Sequence, residues 1–411
     1  PVAAEFYGHP SRELVIAGVT GTDGKSSTVA YLRQLIAAAG EKCGFLSTVE
    51  FHDGQTLRKN AFRQSTPEPP EVQKLLREMT AAGCGFAVVE ATSHGLSPRN
   101  NRLGDVEFSL GILTNISHEH LEFHGSMQQY AKDKSRLFMG LKSKRGVTAA
   151  GVLPAREKYL PLFMDAADGT ETLLYGSGAP GADYNAVDIH EDDEGISFTL
   201  KTPELSLPCR IPLQGLFNVD NALAALAGAV RLLKRPLEEL VPFLQELVPV
   251  RGRMQPVRAG QPFGVLVDYA HSPGSFEKLF PLLKARTEGR LIALFGSAGE
   301  RDREKRPIQG RIAAEYGDIL VLCDEDPRME ESTSILEEIA TGCIGKTRGE
   351  NLFLIPDRKE AIRRAVALAA PGDLLVCLGK GHEGSIIGPV GSLPWNEEEA
   401  ILEALEEIGY R

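Results

Sequence analysis

No run in this sequence approaches the roughly 20 consecutive apolar residues of a membrane-spanning helix, and the N-terminus shows no basic-then-apolar leader. Both absences point to a cytoplasmic chain. Cysteine is sparse and unpatterned: the six residues (Cys43, Cys84, Cys209, Cys323, Cys343, Cys377) are scattered without a C-x-x-C pair, several inside apolar runs. Buried thiols in a reducing compartment fit that spacing. An excess of positive charge is also missing, since 45 basic against 56 acidic residues leave a net charge of −11. Such a balance argues against nucleic acid or a membrane surface as the main partner, while local basic sites for an anionic substrate remain open. There is no internal repeat and no low-complexity tract.

What is present describes an ordinary soluble enzyme. The 411 residues, 42% hydrophobic and 25% charged, suffice for two or three domains with sizeable cores. Short apolar runs at residues 14–17, 86–89, 110–113, 265–267, 291–295, 319–322 and 374–378 alternate with amphipathic helical stretches, the rhythm of parallel α/β sheets. Between about 180 and 212 the texture changes to alternating segments such as Ile196-Ser197-Phe198-Thr199-Leu200, punctuated by Pro203, Pro208 and Pro212. That stretch predicts a small antiparallel sheet ending the first domain. An alanine-rich helix is expected over 221–233 and a second ending near 247, before a hinge at Pro249-Val250-Arg251-Gly252-Arg253. The expected domains are therefore 1–248, a P-loop-type ATPase domain with a mostly parallel sheet and an antiparallel subsheet, and 249–411, a Rossmann-like α/β domain.

The most informative segment is Gly18-Val19-Thr20-Gly21-Thr22-Asp23-Gly24-Lys25-Ser26-Ser27, between the strand at 14–17 and a helix over 28–39. Its glycines let backbone N–H groups close on phosphate oxygens, and the helix N-terminus adds partial positive charge. Lys25 can reach terminal phosphates and Ser26 can hold Mg²⁺. The strict P-loop would place glycine where Val19 stands, yet Gly24-Lys25-Ser26 is kept. An ATP site is the expectation.

Glu90 ends the apolar strand at 86–89, the layout that brings a second metal ligand to bound phosphates. Ala91-Thr92-Ser93-His94-Gly95-Leu96 follows at the strand's carboxyl end, where open α/β sheets bind ligands. After the next strand come His118, His120 and His124 within seven residues. Imidazole suits zinc, but H-x-H-x-x-x-H is not H-E-x-x-H and no cysteine is near. A histidine given to magnesium or to substrate is equally compatible. By composition alone Lys132 and Lys134 would mark a solvated helix face.

Taken together these residues resemble the Mur ligases, of the MurE type, over nearly the whole chain. The phosphate loop is similar to the family's GVTGTNGKTT, and Phe6-Tyr7-Gly8-His9-Pro10-Ser11 resembles the linker before it. The resemblance implies that Lys134 is carbamoylated, giving an anion to the metal site, with Lys25, Glu90 and His120 beside it and Ser26 as a further metal ligand, two Mg²⁺ ions in all. It implies that ATP is held by Gly21, Thr22, Asp23, Gly24, Lys25, Ser26 and Ser27, by Asn218 and Asn221 of Gly215-Leu216-Phe217-Asn218-Val219-Asp220-Asn221, and by Arg253, Asp268 and His271. Ser65, Thr66, Ser93, His94 and Arg102 match positions holding the uridylated peptide. Arg301, Glu325, Asp326 and Arg328 with Gly379 and Glu383 match those facing the incoming amino acid, and the second domain is expected to close on the nucleotide.

The implied activity is ADP-forming ligation in peptidoglycan synthesis, hence cell-wall growth, shape and division: a diamino acid joins UDP-N-acetylmuramoyl-L-Ala-D-Glu through an acyl phosphate. Alternatives are a paralogue using a free or lipid-linked muropeptide and a non-catalytic ATP-binding scaffold. The chain begins at the family's linker, so the expectation is that the domain gripping UDP is missing, leaving open a separate UDP-binding chain; a monomer is otherwise expected. A second departure sets Glu325-Asp326-Pro327-Arg328 where the family has DNPR. Two acids beside Arg328 favour lysine or ornithine, with a distal ammonium, over meso-diaminopimelate.

Overall fold

The computed structural model describes residues 1–411 except 61, 63, 118–120 and 193, with the backbone alone described at 121 and 122. It divides into two units, Pro1–Val248 and Pro249–Arg411. In the first, strand Val15–Thr20 is buried throughout and pairs in parallel with Phe86–Glu90 on one side and Leu110–Leu113 on the other. Continuous apolar runs of this kind are what a strand covered on both faces requires. Cys43–Leu46 extends the parallel sheet beyond Phe86–Glu90, and Ala150–Pro154 and Glu171–Ser177 extend it beyond Leu110–Leu113.

The predicted antiparallel segment exists as Tyr184–Asp192, Gly195–Lys201 and Ser206–Ile211, but it is no separate sheet. Tyr184–Asp192 pairs in parallel with Glu171–Ser177, so all these strands belong to one sheet of 11. A second antiparallel extension, Glu50–His52 and Leu57–Lys59, closes the opposite edge. Helix Phe217–Leu233 starts before the expected position 221, which places Asn218 and Asn221 one turn apart on the same face. Its small residues let it lie close on the sheet: a Cβ on Gly228 would be 3.1 Å from Ile112 Cδ1. The helix expected to end near 247 is a short α-helix, Leu237–Leu240, running into a 3₁₀ turn, Val241–Glu246, where Pro242 cannot donate to an α-helical ladder.

The second unit holds a six-stranded sheet in the order Gln255–Pro256, Gly264–Asp268, Leu374–Leu378, Leu291–Phe295, Ile319–Leu322, Leu352–Leu354, parallel except at its first pair. Strand alternation sends successive residues to opposite faces. Ala293 and Phe295 thus pack with Phe276, Phe280 and Ile312, while Ile292 and Leu294 pack with Ile362, Val366 and Ile401. All six cysteines are free and buried, and burial pushes thiols up, Cys209 and Cys343 to about 11. Among the described residues no helix is long and apolar enough to cross a membrane.

Candidate active site

The phosphate loop leaves strand Val15–Thr20 and enters helix Lys25–Ala38 through Gly24, whose φ is +80°. A Cβ there would lie 2.2 Å from Asn221 Oδ1, and one at Gly21 (φ +145°) only 1.8 Å from Thr114 Oγ1. Both positions therefore require glycine. The loop is pinned by the strand end at Thr114-Asn115: Thr22 N donates to Asn115 O at 2.8 Å, Asp23 N to Asn115 Oδ1 at 3.1 Å, and Thr114 Oγ1 to Asp23 O at 2.6 Å. The last two of these bonds use the Asp23 backbone, which aspartate supplies as well as the asparagine of the family pattern. Lys25 Nζ caps Thr22 O at 2.7 Å, and Ser27 is buried behind it in the first helical turn.

Asn218 and Asn221 meet the start of helix Lys25–Ala38. Asn221 Nδ2 donates to Asn218 Oδ1 at 3.0 Å, Tyr31 Oη to the same oxygen at 3.2 Å, and Asn218 Nδ2 to Gln214 O at 2.8 Å. Glu90 lies on the neighbouring strand, 2% exposed. Ser26 Oγ donates to its Oε2 at 2.8 Å, Thr48 N to Oε2 at 2.8 Å and Thr48 Oγ1 to Oε1 at 2.7 Å. A carboxylate with two hydroxyls is a hard oxygen donor set beside a phosphate cradle, and it fits Mg²⁺. Lys134 is 1% exposed; its Nζ donates to Gly21 O at 2.5 Å and sits 4.5 Å above the Tyr130 ring. The loop, Glu90 and Lys134 thus share one locus.

The peptide-side candidates gather next to it. Thr66 Oγ1 donates to Glu90 O at 3.1 Å and lies 2.8 Å from Thr92 Oγ1. Arg102 donates to Thr66 O at 3.2 Å and pairs with Glu68 at 2.9 Å, so it joins the segment carrying half-buried Ser65. His94 packs against Phe123, ring centroids 4.1 Å apart. Ser93 is closed off at 1% exposure, with its hydroxyl 3.0 Å from His124 Nε2. His118 and His120 lie outside the described residues, and among those described no three or more His, Cys, Asp or Glu side chains group as a metal site. Thr48 and Tyr130 escaped the sequence reading because nothing local marks them; the fold brings Thr48 to Glu90 and Tyr130 to Thr22.

In the second unit, Asp268 ends its strand, accepting from Met254 N and Ala270 N at 2.8 Å each, and burial pushes its carboxyl up. Arg253 stacks its guanidinium 4.8 Å from the Tyr269 ring centroid, and His271 Nδ1 lies 2.9 Å from Tyr269 O. Lys380, 0% exposed, donates to Asp326 Oδ1 at 2.8 Å and also pairs with Glu383. Asp326 further accepts from Ile387 N at 2.9 Å. Glu325 differs: its Oε2 is buried without a hydrogen-bond partner, and a Cβ on Gly379 (φ +97°) would stand 3.1 Å from it. Arg328 adopts φ +57°, its N bonded to Ile387 O at 2.9 Å, and Arg301 is exposed. His382 is held neutral, its pKa lowered to about 3 by burial and by the charges of Arg253, Arg251 and Lys380. Lys380 lies between Gly379 and Glu383 in sequence, but its pairing with Asp326 is not readable there.

A parallel α/β sheet with a glycine loop, a helix N-terminus and a serine–glutamate pair at its strand ends defines a phosphate-binding α/β protein of the P-loop type. Residues 19–229 match the Mur ligase middle domain and residues 252–381 the Mur ligase, glutamate ligase domain. The chain belongs to the Mur ligase family. It is 48% identical to the UDP-N-acetylmuramyl-tripeptide synthetase of Roseiflexus sp. (strain RS-1), with 100% of this chain and 82% of that protein covered. The synthetase of the same name from Treponema denticola is 45% identical over 98% of this chain and 78% of its own length. Among solved structures, a UDP-N-acetylmuramoyl-L-alanyl-D-glutamate–2,6-diaminopimelate ligase superposes with TM-score 0.68 at 29% identity, covering 97% of this chain and 79% of that one.

Proposed function

We propose that this chain is an ADP-forming ligase of peptidoglycan precursor synthesis that joins a diamino acid to UDP-N-acetylmuramoyl-L-alanyl-D-glutamate. The carrying observation is the Ser26–Glu90 hydrogen bond of 2.8 Å beside a glycine loop that admits no Cβ. In the first step a carboxylate oxygen of the acceptor bonds to the γ-phosphorus of ATP as the bridging oxygen leaves with ADP. The amine of the incoming amino acid then attacks the acyl carbon, loses a proton, and expels phosphate with the C–O electron pair.

The loop N–H groups and Lys25 bind and orient the terminal phosphates, and Asn218 and Asn221, bonded to each other beside helix Lys25–Ala38, help hold ATP. Ser26 and Glu90, with Lys134 and His120, would hold two Mg²⁺ ions, which supply charge neutralisation at the moving phosphoryl group. Carbamoylation of Lys134 adds CO₂ to the neutral amine with loss of a proton. What supports that role is the burial of Lys134 beside the phosphate loop, where its Nζ meets Gly21 O. Thr66 and Arg102 serve the acceptor peptide. For the incoming amino acid, the unpartnered Glu325 oxygen favours a distal ammonium, as in lysine or ornithine. Six buried thiols suit a cytoplasmic setting.

The test is phosphate release by the purified chain with Mg²⁺, ATP and UDP-N-acetylmuramoyl-L-alanyl-D-glutamate, offering lysine, ornithine or diaminopimelate in turn. Release that needs acceptor and one amino acid together, with the product mass of the amide, is expected. No release with any of the three, while ATP still binds, refutes this acceptor.

A further inference from the structure

Ser93, matched above to a peptide-holding position, forms with His124 and Asp133 a closed hydrogen-bonded chain. His124 Nδ1 lies 2.7 Å from Asp133 Oδ2 and its Nε2 lies 3.0 Å from Ser93 Oγ. Gln129 Nε2 donates to the other Asp133 oxygen at 2.9 Å. A carboxylate against Nδ1 fixes the imidazole proton there, so Nε2 accepts and the Ser93 hydroxyl donates. The connectivity is that of a nucleophilic serine triad, yet Ser93 is 1% exposed and Asp133 3%. A serine this closed to solvent is no nucleophile. A buried and fully satisfied chain instead fixes the segments it joins.

Those segments carry the phosphate-site groups. Ser93 stands on the turn that leaves strand Phe86–Glu90, and Asp133 immediately precedes Lys134 on helix Met127–Ser135. A second strut joins the same two segments, Arg136 Nε donating to Leu96 O at 3.0 Å. The His124 ring also meets Tyr130 edge-on with centroids 5.2 Å apart. Tyr130 in turn carries Lys134 Nζ over its face and sets its hydroxyl 3.1 Å from Thr22 Oγ1 in the phosphate loop.

We infer that His124, with Asp133 and Ser93, is a positioning residue that holds the Glu90 turn and the Lys134 helix at the separation Mg²⁺ requires, an inference that rests on the ATP-ligase reading. The test is calorimetric binding of AMP-PNP to the full chain, with and without Mg²⁺, for the wild type, His124→Asn, Ser93→Ala and the double variant. Asparagine keeps an amide donor for Asp133 and drops the Nε2 contact, while alanine removes the same bond from its other end. Mg²⁺ should tighten AMP-PNP binding to the wild type. Each variant should lose about five- to tenfold of that tightening, the scale of one hydrogen bond, with metal-free binding held. The double variant should lose no more than either single one, because both cut one link. An unchanged Mg²⁺ ratio, or a fall in melting temperature and metal-free binding with that ratio intact, overturns the inference, as do additive losses. If Mg²⁺ fails to tighten binding to the wild type itself, the phosphate-site reading falls first and takes this inference with it.

Discussion

Replacing Glu325 by Gln should change which amino acid the enzyme selects, whereas replacing Asp326 by Asn should not. The two acids are adjacent in sequence but differ in what they face. Asp326 already accepts from the buried Lys380 ammonium at 2.8 Å and from Ile387 N at 2.9 Å, so its charge is compensated inside the unit. Glu325 keeps a buried carboxylate oxygen with no partner. A distal ammonium arriving there would make a charge-assisted hydrogen bond of about 1.5–3 kcal/mol. Its loss corresponds to roughly 10- to 150-fold in kcat/KM for lysine or ornithine. Diaminopimelate carries a distal carboxylate beside its distal ammonium, so for it the lost attraction is offset by the lost repulsion and it should lose less than lysine or ornithine. Asp326→Asn leaves Lys380 to Glu383 alone, so it should lower stability by about 1–3 kcal/mol in urea unfolding while leaving the selectivity ratio in place. Steady-state kinetics with the three amino acids decide the matter. A Glu325→Gln variant that slows all three equally, or a wild type that prefers diaminopimelate, refutes the reasoning.

Gly24→Ala should weaken ATP binding at least tenfold without unfolding the chain, since a left-handed residue with a side chain costs about 1–2 kcal/mol and the new Cβ would meet Asn221 at 2.2 Å; calorimetry with ADP and far-UV circular dichroism check it. Glu397→Gln should destabilise the second unit by about 3–5 kcal/mol, because it leaves Arg358, 2% exposed and paired with Glu397 at 2.6 Å, as an uncompensated buried charge; wild-type urea midpoints would contradict this. His382 should make the second unit acid-sensitive. Its folded pKa of about 3 lies below the ordinary value of 6.5, so the unfolded chain binds the extra proton between those limits. The stabilisation is full above about 6.5 and is lost as pH falls, roughly 2 kcal/mol by pH 5. A His382→Gln variant should flatten that slope in urea midpoints measured from pH 7 to pH 5.

The parallel strands were legible because burial on both faces leaves an uninterrupted apolar run, as at Leu291–Phe295 and Leu374–Leu378. Cys43–Leu46 and Glu171–Ser177 were not, the first being short and the second carrying Glu171, Thr172, Gly176 and Ser177 in a run of seven residues. The antiparallel segment was legible as alternation, but its attachment to the main sheet was not. That attachment depends on Tyr184–Asp192 finding Glu171–Ser177, a pairing no local pattern encodes. The phosphate loop was the most readable part of the site, since glycine spacing records backbone geometry directly.

Charge is where a linear reading of the site falls short. Counting acids around Arg328 gives two negative charges, yet Lys380, 54 residues further on, neutralises Asp326 and leaves Glu325 to act alone. The same holds for His124, whose neighbours in sequence suggest a metal ligand while its ring nitrogens are engaged by Asp133 and Ser93. A titratable side chain has the chemistry of its type only until the fold supplies its partners. Where two like charges stand adjacent in a motif, the one left without a buried counter-ion is the one available to a ligand. By that rule Glu325, and not Asp326, carries the uncompensated acidic oxygen of this motif.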